Sequence, residues 1–386
     1  MRILHVVRGL TNESGTTHVV IPMAEEQARQ GARVSVLFVD KPPYASLRPA
    51  PALVDSQEFP QSLPLVHPGV SWSFAGAIKT RIHEFDVVHI HAVWNFPTWW
   101  TMRTALKARI PFMVAPHGSL EPWAYNHGSR RRRIYARYIE RPLLAQAARL
   151  QASTNTEAGQ FRAFGLDVPA AVIPNGVSPD WLEGKRGNLA AHLGLAAGTK
   201  TLLFLSRLHE KKGLDILLRA FAAALHSLSG LVLVVAGCDA GSGYDNKMRN
   251  LANVLGLRDR CLFIGEVREE KKREVLFGAD AFALTSHSEG LPMAVLVAMA
   301  SGLPVIITPG CNLPEVASWD AGLIVEPSVE SAATGLREMF GEPSRMRERG
   351  ENGRALVRHR FTWPRIVRDT LAVYGEMIRD GNRTVR

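Results

Sequence analysis

KTLLFLSRLHEKKGLDILLRAFAAALHSLSGLVLVVA, residues 200–236, decides the fold class. It reads as an apolar strand over 200–206, a polar loop, a helical pattern over 213–228 and a second apolar strand over 231–236. Strands covered on both faces are continuous apolar runs, whereas half-exposed strands alternate. Two such strands joined by a helix form a right-handed parallel crossover.

The same alternation extends in both directions. Strand candidates in the first half are 2–7, 33–39, 86–91, 111–116, 149–152 and 170–174, with helical patterns at 17–30 and 97–109. After 236 come strands 261–264, 281–285, 304–308 and 322–325, with helical patterns at 245–256 and 269–277. This is an α/β chain of two doubly wound parallel sheets, and 386 residues suit two domains. Pro174-Asn175-Gly176-Val177-Ser178-Pro179 and the polar stretch to about residue 199 read as a linker. The expected division is 1–178, 190–360, and a C-terminal amphipathic helix within 361–386. Residues 41–72, rich in Pro and Ser, read as an irregular excursion.

The composition is 46% hydrophobic and 21% charged, with a net charge of +10. That balance favours anionic partners such as phosphates, nucleotides or acidic headgroups. Charge peaks at Arg130, Arg131, Arg132 and Arg133, but no nucleic-acid-binding module accompanies it. Cys238, Cys261 and Cys311 lack metal-ligand spacing and read as cytosolic free thiols. The longest apolar stretch, 291–307, is broken by Pro292, Gly302 and Pro304, so a membrane span is not expected.

In open α/β sheets, ligands gather beyond the carboxyl ends of the strands. After strand 200–206, Arg207 and Lys212 supply a guanidinium and an ammonium five residues apart, suited to gripping phosphate, the alternative being a solvated loop. After strand 281–285 comes EGLPMAVLVAMASGLPV, residues 289–305. Pro292 suits a helix start, whose free N–H groups attract anions. Glu289 at that mouth cannot bind phosphate, but it can accept hydrogen bonds from hydroxyls beside one, which means a sugar; the bland alternative is a helix-capping acid. His117, after strand 111–116, is a base, a hydrogen-bonding group or a packed ring. Gly15 and Thr16 sit in a turn that opens the first helix.

These residues in this order resemble the retaining glycosyltransferases of family 4, with the GT-B fold of two Rossmann-like domains facing across a cleft. The similarity runs along nearly the whole chain and is most specific in FLSRLHEKKGLDILLRAF, CLFIGEV and ADAFALTSHSEGLPMAVLVAMASGLPVIIT. DVVHIHAVW and PHGSLEPWA resemble a bacterial branch that builds exopolysaccharide, lipopolysaccharide or capsule. The resemblance implies transfer of a sugar from a nucleotide-sugar donor to a glycan or polyprenyl-diphosphate-linked acceptor, with no metal and no cofactor. It implies that Arg207 and Lys212 hold the diphosphate and that Glu289 contacts the transferred sugar. Gly290, Leu291 and Met293 would face sugar and phosphate, and Gly265 and Val267 would border the base. Gly15 and Thr16 would lie under the diphosphate, His117 near the sugar, and the C-terminal helix would return to the first domain.

One position departs from the family pattern. Val297 stands where a second acid would hold the donor ribose, so Val297→Glu is expected to tighten nucleotide binding. A non-catalytic nucleotide-sugar-binding paralogue and a nucleotide-sugar 2-epimerase are the alternative readings. The arginine run at 130–133, ahead of an apolar-basic stretch, is expected to bring the protein to the inner face of the cytoplasmic membrane; the alternatives are that the arginines grip only the acceptor's phosphates or sit in solvent. Trp94, Phe96, Trp99, Trp100 and Trp123 are candidates for stacking on acceptor sugars or for core packing.

Overall fold

A computed structural model describes residues 1–11, 14–40, 44–62, 69–120, 134–239 and 241–383. The chain forms two compact units, Met1–Gly176 with Trp363–Arg386, and Val177–Thr362.

The first unit runs β1 (Arg2–Val7), α1 (Thr17–Arg29), β2 (Arg33–Val39), β3 (Asp55–Phe59), α2 (Trp72–Arg81), β4 (Val87–His91), α3 (Phe96–Ala108), β5 (Phe112–Ala115), β6 (Arg149–Ala152), α4 (Asn155–Ala163) and β7 (Ala170–Val172). Its sheet has the order β3-β2-β1-β4-β5-β6-β7, and its strands pair in parallel. The pleat sends alternate side chains to opposite faces. Leu4 and Val6 therefore join the core with Phe74, Ile78 and Met102. Ile3 and Val7 join a second core with Val20 and Met23 of α1 and with Ile366 and Val367 near the C-terminus.

The second unit runs β8 (Lys200–Leu205), α5 (Leu214–Ala224), β9 (Leu231–Ala236), α6 (Tyr244–Val254), β10 (Cys261–Gly265), α7 (Glu269–Gly278), β11 (Ala281–Leu284), α8 (Met293–Ala300), β12 (Val305–Ile307), β13 (Gly322–Ile324), α9 (Val329–Gly341) and α10 (Pro343–Arg360). Its six strands are ordered β10-β9-β8-β11-β12-β13. Both units are thus Rossmann-like layers of parallel sheet and helix. The final helix α11 (Trp363–Arg383) packs on α1 within the first unit.

Two expectations need correction. The segment 41–72 is not wholly irregular: Asp55–Phe59 pairs in parallel with β2, and Ser71 caps α2 by accepting from the Phe74 N–H at 3.3 Å. The strand escaped notice because an edge strand has one neighbour and keeps polar residues, here DSQEF. Nor is the stretch after residue 176 a free linker. The Val177 N–H donates to Phe361 O at 2.6 Å and the Gly187 N–H to Phe277 O at 2.9 Å, and Leu189 is buried, so this stretch packs onto the second unit. The crossings lie at 176/177 and 362/363. Among the described residues no helix is long and apolar enough to cross a membrane.

Candidate functional site

In the second unit, chemistry collects where β8 and β11 end. Gly213 lies between the loop and α5 with a left-handed φ of 65°. A Cβ there would sit 2.1 Å from Thr285 O, so only glycine lets the two strand-end loops touch. Thr285 Oγ1 closes the contact by donating to Gly213 O at 2.8 Å. This junction brings Lys212 beside Glu289: Lys212 Nζ donates to Glu289 Oε1 at 2.6 Å. Ser286 Oγ donates to the same oxygen, also at 2.6 Å. The Lys212 and Glu289 side chains are only 15% and 11% exposed.

The backbone around Glu289 is equally fixed. Its N–H donates to Gly310 O at 2.7 Å, and Asn312 Nδ2 donates to Glu289 O at 2.5 Å. A Cβ on Gly310 would lie 2.5 Å from both Ser286 O and His287 O. Glu289 does not cap α8: Pro292 occupies the cap position, no side chain caps the helix, and its first turn holds no acid. The backbone donors at that helix start are therefore open to an anion. Arg207 is exposed, two residues beyond β8, and makes no hydrogen bond or ion pair among the described residues.

The other expected donor residues fall in three environments. Gly290 and Met293 are half-buried and Leu291 is buried. Gly265, the last residue of β10, has a left-handed φ of 73° and accepts from the Gly237 N–H at 2.8 Å; Val267 is buried nearby in sequence. Val297 is 4% exposed and belongs to the hydrophobic core of this unit.

In the first unit, β4 and β5 end in three non-glycine residues with left-handed backbones: Ala92 (φ 66°), Trp94 (φ 66°) and His117 (φ 51°). Such positions cost on the order of 1–3 kcal/mol each and cluster at functional sites. A cavity of about 420 Å³ opens there, lined by Arg8, Gly9, Ser14, Thr16, Trp94 and Asn95 among others. Burial lowers the pKa of Arg8. Gly15 is exposed, its φ is not left-handed, and a Cβ there would meet nothing within 4 Å. The fold itself therefore does not require glycine at 15. Thr16 precedes α1, whose start likewise has no side-chain cap and no acid in the first turn.

His117, half-buried, ends a chain of side chains whose other members are buried. Its Nε2 lies 3.1 Å from His91 Nδ1, His91 Nε2 lies 2.8 Å from His5 Nδ1, and His5 Nε2 lies 2.7 Å from Gln27 Oε1. His89 branches from the group, its Nδ1 lying 2.6 Å from Tyr374 OH on α11. Burial pushes the pKa of His5 and of His117 down to about 4 and those of His89 and His91 well below the usual histidine value. All four rings are therefore neutral at pH 7. Ligating nitrogens of His5, His89 and His91 come within 4.8 Å of one another, as a metal would need. Five of those six nitrogens already sit in the hydrogen bonds just described, so the cluster reads as a polar chain. The sequence carried a signal for it: His5 and His89 are register partners on neighbouring strands, and His89 and His91 alternate on one face.

Glu140, fully buried, also escaped the sequence reading. Its Oε1 accepts from the Trp94 N–H at 3.3 Å and its Oε2 has no partner among the described residues. Burial raises its carboxyl to about 7, against smaller opposing hydrogen bonds from Trp94 and Tyr135. Among the aromatics, Phe96 is buried and Trp94, Trp99 and Trp100 pack against the core, which favours core packing over an exposed stacking surface. Trp123 and the arginine run at 130–133 lie outside the described residues. Cys238, Cys261 and Cys311 are free thiols.

Two family descriptions match the chain in series: "Glycosyl transferase 4-like domain" over residues 14–176 and "Glycosyl transferases group 1" over 186–356. A D-inositol 3-phosphate glycosyltransferase of Actinosynnema mirum is 29% identical over 413 residues, covering 95% of this chain and 93% of that protein. The protein of the same name from Saccharomonospora viridis is 28% identical, covering 95% of this chain and 90% of its own. Among solved structures, sucrose-phosphate synthase from Thermosynechococcus elongatus superimposes with a TM-score of 0.77 at 19% identity, over 98% of this chain and 100% of that one. Anabaena HepE, in complex with UDP and glucose, gives 0.76 at 19% identity, over 97% of this chain and 100% of that one. These likenesses establish the fold. The curated relatives carry an inositol-phosphate name, not that of the polysaccharide branch suggested by the first-half motifs.

Proposed function

Because the chain belongs to the GT-B glycosyltransferases, its two halves matching their two domains in order, we propose that it moves a sugar from a nucleoside-diphosphate sugar, with retention, to a hydroxyl of a phosphorylated acceptor. The observation that carries this reading is the Lys212–Glu289 contact of 2.6 Å beside the uncapped start of α8. An ammonium, a carboxylate and free backbone donors meet there, which suits a diphosphate with sugar hydroxyls next to it.

As the sugar–phosphate bond breaks, charge builds on the diphosphate and the sugar becomes oxocarbenium-like. Fixed cations and dipoles aimed at that charge are the main source of acceleration. Lys212 is held by Glu289, so little reorganisation is needed when the charge develops. Arg207, with no partner among the described residues, is available to the same phosphates. In this reading the two cations do the neutralising work and no metal is required. The acceptor attacks from the leaving-group face and the departing diphosphate takes its proton. Glu289, whose Oε1 is engaged, offers its other oxygen to sugar hydroxyls, and His117 takes the role that the sequence resemblance implies for it, a contact to the sugar.

A uridine nucleotide is the first donor to try, given the UDP bound by HepE. An inositol phosphate is the first acceptor, given the name of the curated relatives. A lipid-linked glycan, with Arg130 to Arg133 at an acidic membrane surface, is the second reading and rests on sequence. Product analysis separates the possibilities: UDP-, GDP-, ADP- and dTDP-sugars are offered with inositol 3-phosphate, with a polyprenyl-diphosphate glycan, or alone. A glycosylated acceptor with the donor's anomeric configuration supports transfer with retention. Epimerised donor in the absence of acceptor means an epimerase, and tight nucleotide binding with no turnover means a non-catalytic relative. Co-sedimentation with acidic vesicles at low salt tests the membrane reading.

A further inference from the structure

The buried histidine chain has a direction, and the direction has a chemical result at His117. A neutral imidazole carries one proton, so each ring donates through one nitrogen and accepts through the other. The chain's polarity is fixed at Gln27, whose amide presents a donor at one end and an acceptor at the other.

Gln27 Nε2 donates to Tyr374 OH at 3.4 Å, and that hydroxyl lies 2.6 Å from His89 Nδ1. That turns Gln27 Oε1 toward His5, so His5 Nε2 must donate to it across 2.7 Å. His5 Nδ1 is now an acceptor and takes the proton of His91 Nε2 at 2.8 Å. His91 Nδ1 in turn accepts from His117 Nε2 at 3.1 Å. No described group hydrogen-bonds His117 Nδ1.

We propose that Gln27, His5 and His91 are positioning residues that lock His117 with its proton on Nε2, leaving Nδ1 as a bare acceptor for a hydroxyl of the bound sugar. This rests on the reading above that His117 meets the sugar. It selects among the roles open to that ring: His117 accepts from a substrate hydroxyl and does not supply a proton. The strained φ of 51° at His117 and the bond from the Gly118 N–H to the buried Glu157 at 2.7 Å hold the ring in place from the backbone side.

The test is 15N NMR of the full-length protein with labelled histidine, the His117 signal identified by its loss in His117→Asn. The expected spectrum shows His117 protonated at Nε2 and unprotonated at Nδ1. A proton on Nδ1, or averaging between the two forms, overturns the proposal. The spectrum is read without ligand, so failure of sugar transfer leaves it standing, while the wrong tautomer sinks it even if transfer occurs. A second comparison uses shape. The Asn side-chain oxygen can take the place of Nδ1, whereas the Gln amide reaches the place of Nε2. His117→Asn should keep the donor KM within about tenfold of wild type and His117→Gln should lose more; the reverse order contradicts the proposal.

Discussion

Lys212 Nζ and Glu289 Oε1 lie 2.6 Å apart across 77 residues of sequence, with both side chains largely buried. A charged hydrogen bond of this kind is worth about 1.5–3 kcal/mol, and removing one partner strands the other. Lys212→Met and Glu289→Gln should therefore each destabilise the second unit. The double variant should cost less than the sum of the two, by about 1 kcal/mol or more. Denaturant titration measures it, and strict additivity would show that the pair is not coupled.

Gly213 and Gly310 hold the loops that carry that pair. Because a Cβ would meet Thr285 O at 2.1 Å or two carbonyls at 2.5 Å, Gly213→Ala and Gly310→Ala should each cost on the order of 2 kcal/mol or more. Gly15→Ala, with open space around its Cβ, should leave stability unchanged and weaken nucleotide-sugar affinity. A Gly15→Ala variant that unfolds early while binding normally would contradict the ligand-approach reading.

Val297→Glu tests the departure from the family pattern. The position is 4% exposed, so a carboxylate there carries a desolvation cost of a few kcal/mol unless it finds a partner. Melting temperature should fall without nucleotide and recover in its presence, while affinity by calorimetry rises. A stable variant with unchanged affinity would remove the ribose explanation.

The buried histidines set the acid stability of the first unit. Their folded pKa values are lowered, so the unfolded chain binds more protons as pH falls below about 6.5, and stability is lost between there and pH 4. For fully buried His5, lowered to about 4, the contribution approaches about 3 kcal/mol. Glu140 has the opposite sign. Its raised pKa of about 7 makes the folded state lose stability as pH rises from about 4.5 through 7. Glu140→Gln should thus stabilise the unit more at pH 8 than at pH 5, by about 2.5 kcal/mol. The four histidines outnumber the one acid, so the intact first unit should still melt earlier at pH 5 than at pH 7 by near-UV circular dichroism.

Much of this was legible in the sequence because buried parallel strands announce themselves as apolar runs. LLFL at 202–205 and VLVV at 232–235 have no other comfortable place than a covered sheet. Edge strand β3 did not announce itself, because DSQEF is half solvated. The roles suggested for Lys212 and Glu289 came from their places after strand ends; their direct contact did not, because it depends on Gly213 and Gly310 drawing distant loops together. The histidine chain was half legible, in the alternation of His89 and His91. Its continuation through Gln27 and Tyr374 needed the packing of α1 and α11 on the sheet.

The most direct measurement compares the affinity of the free nucleoside with that of its diphosphate, for the best-bound base, in wild type, Arg207→Ala and Lys212→Met. The wild type should prefer the diphosphate by about a hundredfold, near 3 kcal/mol, and each substitution should erase most of that preference while leaving nucleoside affinity alone. A preference that survives both substitutions would mean that the diphosphate is held elsewhere and that the strand-end cations have another task.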